Sequence, residues 1–529
     1  MGWTFRIFLS ITGIVYGQNK DVDSHPIVVP KATPRNAVSV PADFFGFGFE
    51  SGFLPHYNNE FSHNVVSSIQ NRMSKPLVIR VGGTSGDNII VHEDQKDASH
   101  CTSKFCTSLS HFDVGPSYFD TLKGFSNVAW SIQAPMGPHL DMTNTMLYLK
   151  HAWETLGKDR VSAIALGNEP NWYHLHDKGY DYATYTKDAI EIEDAVIKEF
   201  GLKGDERQIF QVGEIASEAV SSDFNLIGIL KDRLGQNGRT KYAAEHFYQH
   251  AEPEKDKSYF SIQRLQEVLM NPANIQNHLK PYVDVIDWLR EKKKPYPLVL
   301  SEVGSAIGGS PLTFGGSFGA AMWAVDFHLA AMAHGVQRVC NTMGPGATHA
   351  FWEPDNSGRQ AKGPAVNGIF PAAAYIADFV GKDDGLGKVT ELISGVESLT
   401  AYAMYGLKSA KPTRVALINL KEWHEDENPA LSPRRDHVTV ALDVGEETKS
   451  VTIKRMQSEK GSTALGFDQS IEQGRPWENV TWAGEQWSHK VDMGKGHFVS
   501  GPQEEKVEVS QGKVHVVVPD TEAVIVFLS

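Results

Sequence analysis

Glu169 and Glu302 each stand where an apolar run breaks off, and that placement gives them a possible chemistry. The first run is Val161-Ser-Ala-Ile-Ala-Leu-Gly-Asn168-Glu169-Pro170, and the second is Pro297-Leu-Val-Leu-Ser-Glu302-Val-Gly. Continuous small and β-branched residues suit strands covered on both faces. Pro170 cannot donate to a ladder and moves Glu169 off helical angles. In parallel α/β folds, and above all in eight-stranded barrels, the carboxyl ends of strands present the catalytic side chains. Two carboxylates at the mouths of separate strands can face each other across one cleft and cleave a glycosidic bond, one giving a proton as the other attacks carbon. A glutamate that merely faces solvent at a strand end is the alternative reading. Asn168 directly before Glu169 and Pro170 directly after it speak against that.

Positioning two such groups takes a scaffold, and the chain reads as a closed α/β barrel followed by β structure. Apolar strand-like runs fall at residues 43–52, 76–88, 127–137, 161–166, 207–213, 241–250, a run ending at Glu302, and 336–342. Glu50 lies near the end of the first. Arg80 lies inside the second, a buried charge that is tolerable only if paired, with a catalytic glutamate or a structural Asp as its partner. Helical spacing fits residues 182–200, and an apolar helix fits 318–335. Eight strands alternating with helices is the count of a (β/α)8, or TIM, barrel. Residues 381–387 then read as a linker, after which short β runs at 399–405, 413–420, 437–444, 450–456, 506–509 and 513–527 predict an antiparallel β-sandwich. The expected organisation is a leader over 1–17, a segment over 18–42 that adds a strand to the sandwich, a barrel over 43–384 and a sandwich over 385–529.

Composition narrows the partners. The formal net charge of −14 argues against nucleic acid and long polyanions at neutral pH. The one basic run, Arg290-Glu-Lys-Lys-Lys294, precedes the seventh strand and belongs at the amino-end face, as a solvated helix end. Arg6 followed by an apolar stretch to Tyr16 reads as a secretory signal, too short to span a bilayer, with a buried N-terminal strand as the alternative. Cys101 and Cys106 sit in a polar loop and are the candidate bridge of a secreted protein, while Cys340 reads as a buried thiol; three free thiols is the other reading. Asn479-Val-Thr481 is a glycosylation sequon. No second Cys pair or His pair at ligand spacing supports a zinc site, so neither metal nor cofactor is expected.

Asn168-Glu169-Pro170 with Glu302, the Arg80-Val-Gly-Gly83 strand, His246-Phe-Tyr248, Gly308-Gly309 after Glu302, and the β tail together resemble family 79 of the glycoside hydrolases. That family holds the β-glucuronidases and heparanases, and the secreted fungal β-glucuronidases are the nearest kind. The resemblance implies a retaining exo-β-glycosidase with a carbohydrate substrate, releasing terminal or 4-O-methyl glucuronic acid. Glu169 is then acid and base, Glu302 the nucleophile, Asn168 the holder of the sugar 2-hydroxyl, and Tyr248 the hydroxyl that orients Glu302. The amides of Gly308 and Gly309, with tyrosine hydroxyls, would hold the uronate carboxylate. Two expected tyrosines are absent, at Ile307 and in Ala347-Thr348-His349-Ala350. Thr348 or His349 could replace one donor, His349 as a histidinium in acid. His246 reads as a satisfied core histidine. The other readings are a β-glycosidase for a neutral sugar, motivated by Ile307, and a non-catalytic carbohydrate-binding barrel.

Overall fold

The structure is a computed structural model that describes residues 24–528 except 104–105, 217–223, 252–255, 308–309, 358–362, 383–385, 427–428 and 473–477. The leader over 1–17 and the glycines at 308 and 309 lie outside the described residues. Eight parallel strands close into a barrel in sequence order: Phe45–Glu50, Leu77–Gly82, Val128–Ala134, Val161–Leu166, Phe210–Ile215, Thr240–Tyr248, Leu298–Gly304 and Val339–Met343. Closure comes from the eighth strand pairing in parallel with the first, Val339 opposite Phe45 through Met343 opposite Phe49. Nearly every residue of these strands is buried, as their continuous apolar runs require once helices cover the outside.

Several strand bounds differ from the sequence reading, and two differences matter. The fifth strand runs on to Ile215 and so carries Glu214 into the barrel mouth. The seventh runs past Glu302 to Gly304, which makes Glu302 an interior strand residue. The helix Tyr182–Glu199 starts at Asp181, whose carboxylate accepts from the Thr184 N–H and satisfies one of the free donors of the first turn.

The helix Phe318–His334 is apolar all round because it has no solvent face: the barrel covers one side and the sandwich the other. Its one carboxylate, Asp326, accepts from Thr400 Oγ1 (2.6 Å) and Tyr402 Oη (2.8 Å) across that boundary. The next helix, Pro371–Val380, makes a similar seam, with Tyr375 donating to the Val524 carbonyl and Trp482 donating to Asp378. The sandwich packs a ten-stranded sheet against a three-stranded one over a core of its own. The N-terminal segment supplies a strand to each sheet: Val38–Pro41 pairs antiparallel with Leu386–Leu392, and His25–Val28 pairs parallel with His437–Asp443. Residues 386–387, read as linker, are thus already strand. The run 513–527 is two strands, Lys513–Pro519 and Glu522–Leu528, broken where Thr521 takes a φ of 56°.

Glu245, in the sixth strand, is fully buried, and neither carboxylate oxygen has a hydrogen-bond partner among the described residues. Burial pushes its pKa up to about 8, so the folded state holds a proton that the unfolded chain releases near pH 4.5. Its contribution is therefore fully present below about pH 4.5 and is lost as pH rises through about 8. Glu245→Gln keeps the shape and removes the titration. The variant is expected to gain on the order of a few kcal/mol over wild type at pH 8 relative to pH 4.5. Thermal unfolding of both proteins at several pH values checks it; parallel Tm curves would refute the assignment.

Candidate active site

The fourth strand ends in two residues with positive φ. Gly167 (φ 77°) and Glu169 (φ 49°) turn the chain sharply upward into the one-turn helix Pro170–Leu175. Pro170 excludes the right-handed helical region for Glu169, and the residue takes the left-handed region instead of the extended one. Three hydrogen bonds hold this bend: Glu169 N–H to the Glu214 carbonyl (2.9 Å), Trp172 N–H to the Glu169 carbonyl (2.8 Å), and Asn168 N–H to Tyr173 Oη (3.1 Å). Tyr173 in turn donates to Asp87, which also accepts from Gln133 and from the Met136 N–H. Burial raises the Asp87 carboxyl to about 6, and those three donors offset part of that cost.

Arg80 is the hub of the site. Its Nη1 donates to Glu302 Oε2 (3.0 Å), its Nη2 donates to Asn168 Oδ1 (2.7 Å), and Nη2 also forms an ion pair with Glu214 Oε2 at 2.8 Å. The partner expected among the catalytic glutamates is thus present, together with a second carboxylate. Tyr248 Oη donates to Glu302 Oε1 at 2.8 Å. Burial pushes the Glu302 carboxyl up, but His246 and Arg80 outweigh it and hold the group below the ordinary glutamate value, as an anion. Asn168 gives its amide oxygen to Arg80, which leaves its NH2 as the group able to donate elsewhere.

His246 corrects the sequence reading. It is fully buried, but it lies between acids: Nδ1 is 2.9 Å from Glu169 Oε1, and Nε2 is 3.1 Å from Glu214 Oε2. Burial alone would lower its pKa, yet the surrounding carboxylates raise it to about 10, so the ring is an imidazolium with both N–H groups donating. Ligand atoms of Glu169, His246 and Glu302 lie within 4.8 Å of one another, a spacing that a metal could use. An imidazolium beside a guanidinium is unsuited to that, since ligation needs a free nitrogen lone pair and a site not already occupied by two cations.

His349 is also corrected. Its Nδ1 bonds to the Ala306 carbonyl (2.8 Å), burial lowers its pKa, and Nε2 has no partner among the described residues. Burial thus favours the neutral imidazole over the expected histidinium. The Thr348 hydroxyl is spent on Ser310. Ile307 is 38% exposed at the end of the seventh strand. The Cys101–Cys106 bridge forms, Cys340 is a buried thiol, and Asn479 is half-buried just before the strand Val480–Trp482.

Three groups at this mouth had no role in the sequence reading. Glu50 ends the first strand, accepts from the Ser85 N–H and hydroxyl, and is pushed up to about 8 by burial and by Glu302. Gly83 (φ 93°) is the residue that makes room for it: a Cβ there would stand 2.2 Å from Glu50 Oε2. Glu214 was cut off by ending the fifth strand at Gly213, although a Gly before a strand-end glutamate echoes Gly167 and Glu169. Tyr173 is invisible in sequence because its bond is to a main-chain N–H. Tyr173→Phe leaves the buried Asn168 N–H and Asp87 short of a partner, and is expected to lower stability by about 1–3 kcal/mol. Denaturant unfolding checks it, and a change inside error would show the bond to be idle.

Residues 401–525 match the family described as the glycosyl hydrolase family 79 C-terminal beta domain. A beta-glucuronidase of Aspergillus niger is 21% identical over 530 residues, with 92% of each chain aligned. One from Neurospora crassa is 23% identical over 551 residues, covering 93% of this chain and 92% of that one. Among solved structures, a 4-O-α-L-rhamnosyl-β-D-glucuronidase from Fusarium oxysporum superposes with a TM-score of 0.77 at 20% identity, covering 95% of this chain and all of that one. No helix among the described residues is long and apolar enough to cross a membrane. The resemblance to family 79 of the glycoside hydrolases is borne out by the family 79 C-terminal β domain and by these beta-glucuronidase relatives, and the (β/α)8 barrel before that domain carries the fold of the matched structure.

Proposed function

We propose that this chain is a retaining exo-β-glycosidase, and specifically a β-glucuronidase acting on a terminal sugar. The observation that carries the reading is the approach of one carboxylate oxygen of Glu169 to one of Glu302 within 4.8 Å, in keeping with the short separation that goes with a covalent intermediate rather than the wider one of inverting enzymes. The relatives named beta-glucuronidase supply the sugar.

In the first step Glu302 Oε attacks the anomeric carbon as the bond to the aglycone oxygen breaks, and Glu169 gives its proton to that oxygen. In the second, a water oxygen attacks the same carbon, Glu169 takes the water's proton, and the ester bond to Glu302 breaks to restore its carboxylate. Arg80 and Tyr248 each occupy one Glu302 oxygen and so fix the direction of attack. The free NH2 of Asn168 suits the sugar 2-hydroxyl, a contact that tightens as the ring flattens toward the oxocarbenium ion. Protonated Glu50 offers a further donor or acceptor for a ring hydroxyl. A signal sequence over 1–17, secretion and glycosylation at Asn479 belong to the same proposal, supported by the Cys101–Cys106 bridge.

A second reading, a β-glycosidase for a neutral sugar, is favoured by the apolar Ile307 and by His349, whose burial favours the neutral ring that can accept from a hydroxyl. A panel of nitrophenyl β-glycosides between pH 4 and 6 separates the two. Glucuronide hydrolysis supports the lead, turnover of glucoside or galactoside alone supports the second, and no turnover would favour a binding protein. Glu302→Ala is expected to lose about 10⁴-fold in kcat, the scale of removing a nucleophile, with azide restoring an α-configured glycosyl azide. Proton NMR of the first-formed product settles stereochemistry: an inverted anomer from wild type would end the retaining assignment.

A further inference from the structure

Glu214 touches neither the expected path of the sugar nor water, yet it receives more of the site's donors than any other carboxylate described. Ser301 Oγ donates to its Oε2 (3.0 Å), His246 Nε2 lies 3.1 Å from the same oxygen, Gln211 Nε2 donates to its Oε1, and Arg80 Nη2 forms an ion pair with Oε2 at 2.8 Å. Its carbonyl also accepts the Glu169 N–H. The residue is fully buried and holds φ at 51°, reached through a break in strand register between Gly213 and Ile215. A buried carboxylate on strained backbone is expensive in both respects, and three hydrogen-bond partners and the Arg80 guanidinium converge to keep it there.

We propose that Glu214 is a positioning residue for the acid: it takes up the charge of His246 and Arg80, so that Glu169 is not needed as their counter-ion and can carry a transferable proton. The inference rests on the proposed roles of Glu169 and Glu302 and deepens them.

A count of charges makes the argument. Arg80 and the His246 imidazolium bring two positive charges into a site shut off from bulk solvent. Glu302 and Glu214 bring two negative charges, so the cluster is neutral when Glu169 is protonated. The other titratable groups facing His246 leave the count unchanged. Glu245 on its own strand and Glu50 across the mouth are both pushed to about 8 by burial and are uncharged in acid. Tyr282, from the helix packed outside, donates its hydroxyl to the His246 carbonyl. Glu214 itself is lowered to about 2: burial opposes ionisation, and Arg80 and His246 overcome it. Without Glu214, the imidazolium, whose Nδ1 already lies 2.9 Å from Glu169 Oε1, would have Glu169 as its nearest remaining anion. An acid that has become a counter-ion has no proton to give.

Two variants with opposite expected signs test this. Phenyl and 2,4-dinitrophenyl glycosides are used, of whichever sugar wild type hydrolyses; the phenyl leaving group needs a proton and the dinitrophenyl group does not. Glu214→Gln should lose about 100-fold or more in kcat/KM on the phenyl glycoside and less than about tenfold on the dinitrophenyl one, the range general acid catalysis supplies. The alkaline limb of its phenyl profile should move to lower pH. His246→Gln removes one positive charge and leaves Glu214 in place, so its alkaline limb should move to higher pH. Equal losses on both substrates, or limbs that stay put or move together, would overturn the proposal and leave Glu214 a purely structural residue. If Glu214→Gln does not fold, the direction of the His246→Gln limb decides alone. A wild type that cleaves a neutral sugar but no glucuronide defeats the substrate reading and leaves this test intact. A wild type that cleaves nothing defeats both.

Discussion

A guanidinium buried to 2% exposure inside a parallel barrel is the constraint to which the rest of the site answers. Arg80 sits in the second strand, where its neighbours demand apolar surroundings, and its charge cannot be shed in any accessible pH range. Removing it from water costs several kcal/mol, and only partners with good geometry offset that. The barrel supplies them from three other strands: Asn168 at the end of the fourth, Glu214 in the fifth and Glu302 in the seventh. A buried cation therefore assembles carboxylates that would otherwise repel one another, and it holds Glu302 ionised at the same stroke. The geometry of the mouth is largely the solution to an electrostatic problem that the second strand sets.

The sandwich bears on this more than its distance suggests. The helices Phe318–His334 and Pro371–Val380 belong to the barrel by sequence order, yet they also pack against the β domain. A helix with no polar face could not stand on a free barrel surface without exposing an apolar patch. The eighth strand directly follows the first of these helices and closes the barrel against the strand that bears Glu50. The position of the mouth thus depends on the β domain through one continuous core. Asp326 sits in that core with its charge answered only by two hydroxyls, and burial lifts its pKa to about 6.

The barrel was legible because parallel strands announce themselves as unbroken apolar runs, and eight of them alternate with helical spacing. Glu169 and Glu302 were legible because charge interrupts those runs. What sequence hid were the groups whose meaning lies across strands. His246 looks like any core histidine until Glu169 and Glu214 are placed at its two nitrogens, and neither lies within thirty residues of it along the chain. Glu214 was lost by ending a strand at a glycine, a sound rule in general that fails here because Gly213 (φ 110°) is a kink inside the strand. The sandwich was recognised by its turn residues, but its N-terminal strands were not fully legible: His25–Val28 pairs parallel, a geometry local sequence cannot signal.

Two non-glycine residues at this mouth, Glu169 and Glu214, hold φ near 50°, and each conformation costs of order 1–3 kcal/mol. They are not independent, because the Glu169 N–H donates to the Glu214 carbonyl at 2.9 Å. That bond exists only while both chains are bent, so each strained turn is the support of the other. Relaxing Glu214 to extended backbone would withdraw its carbonyl from Glu169 and its carboxylate from Arg80 and His246 together, and the charge balance of the mouth would fail with the geometry. Strain and electrostatics are coupled in one residue. The energy stored in two bent strand ends is held in place by the same ions that those bends bring into contact.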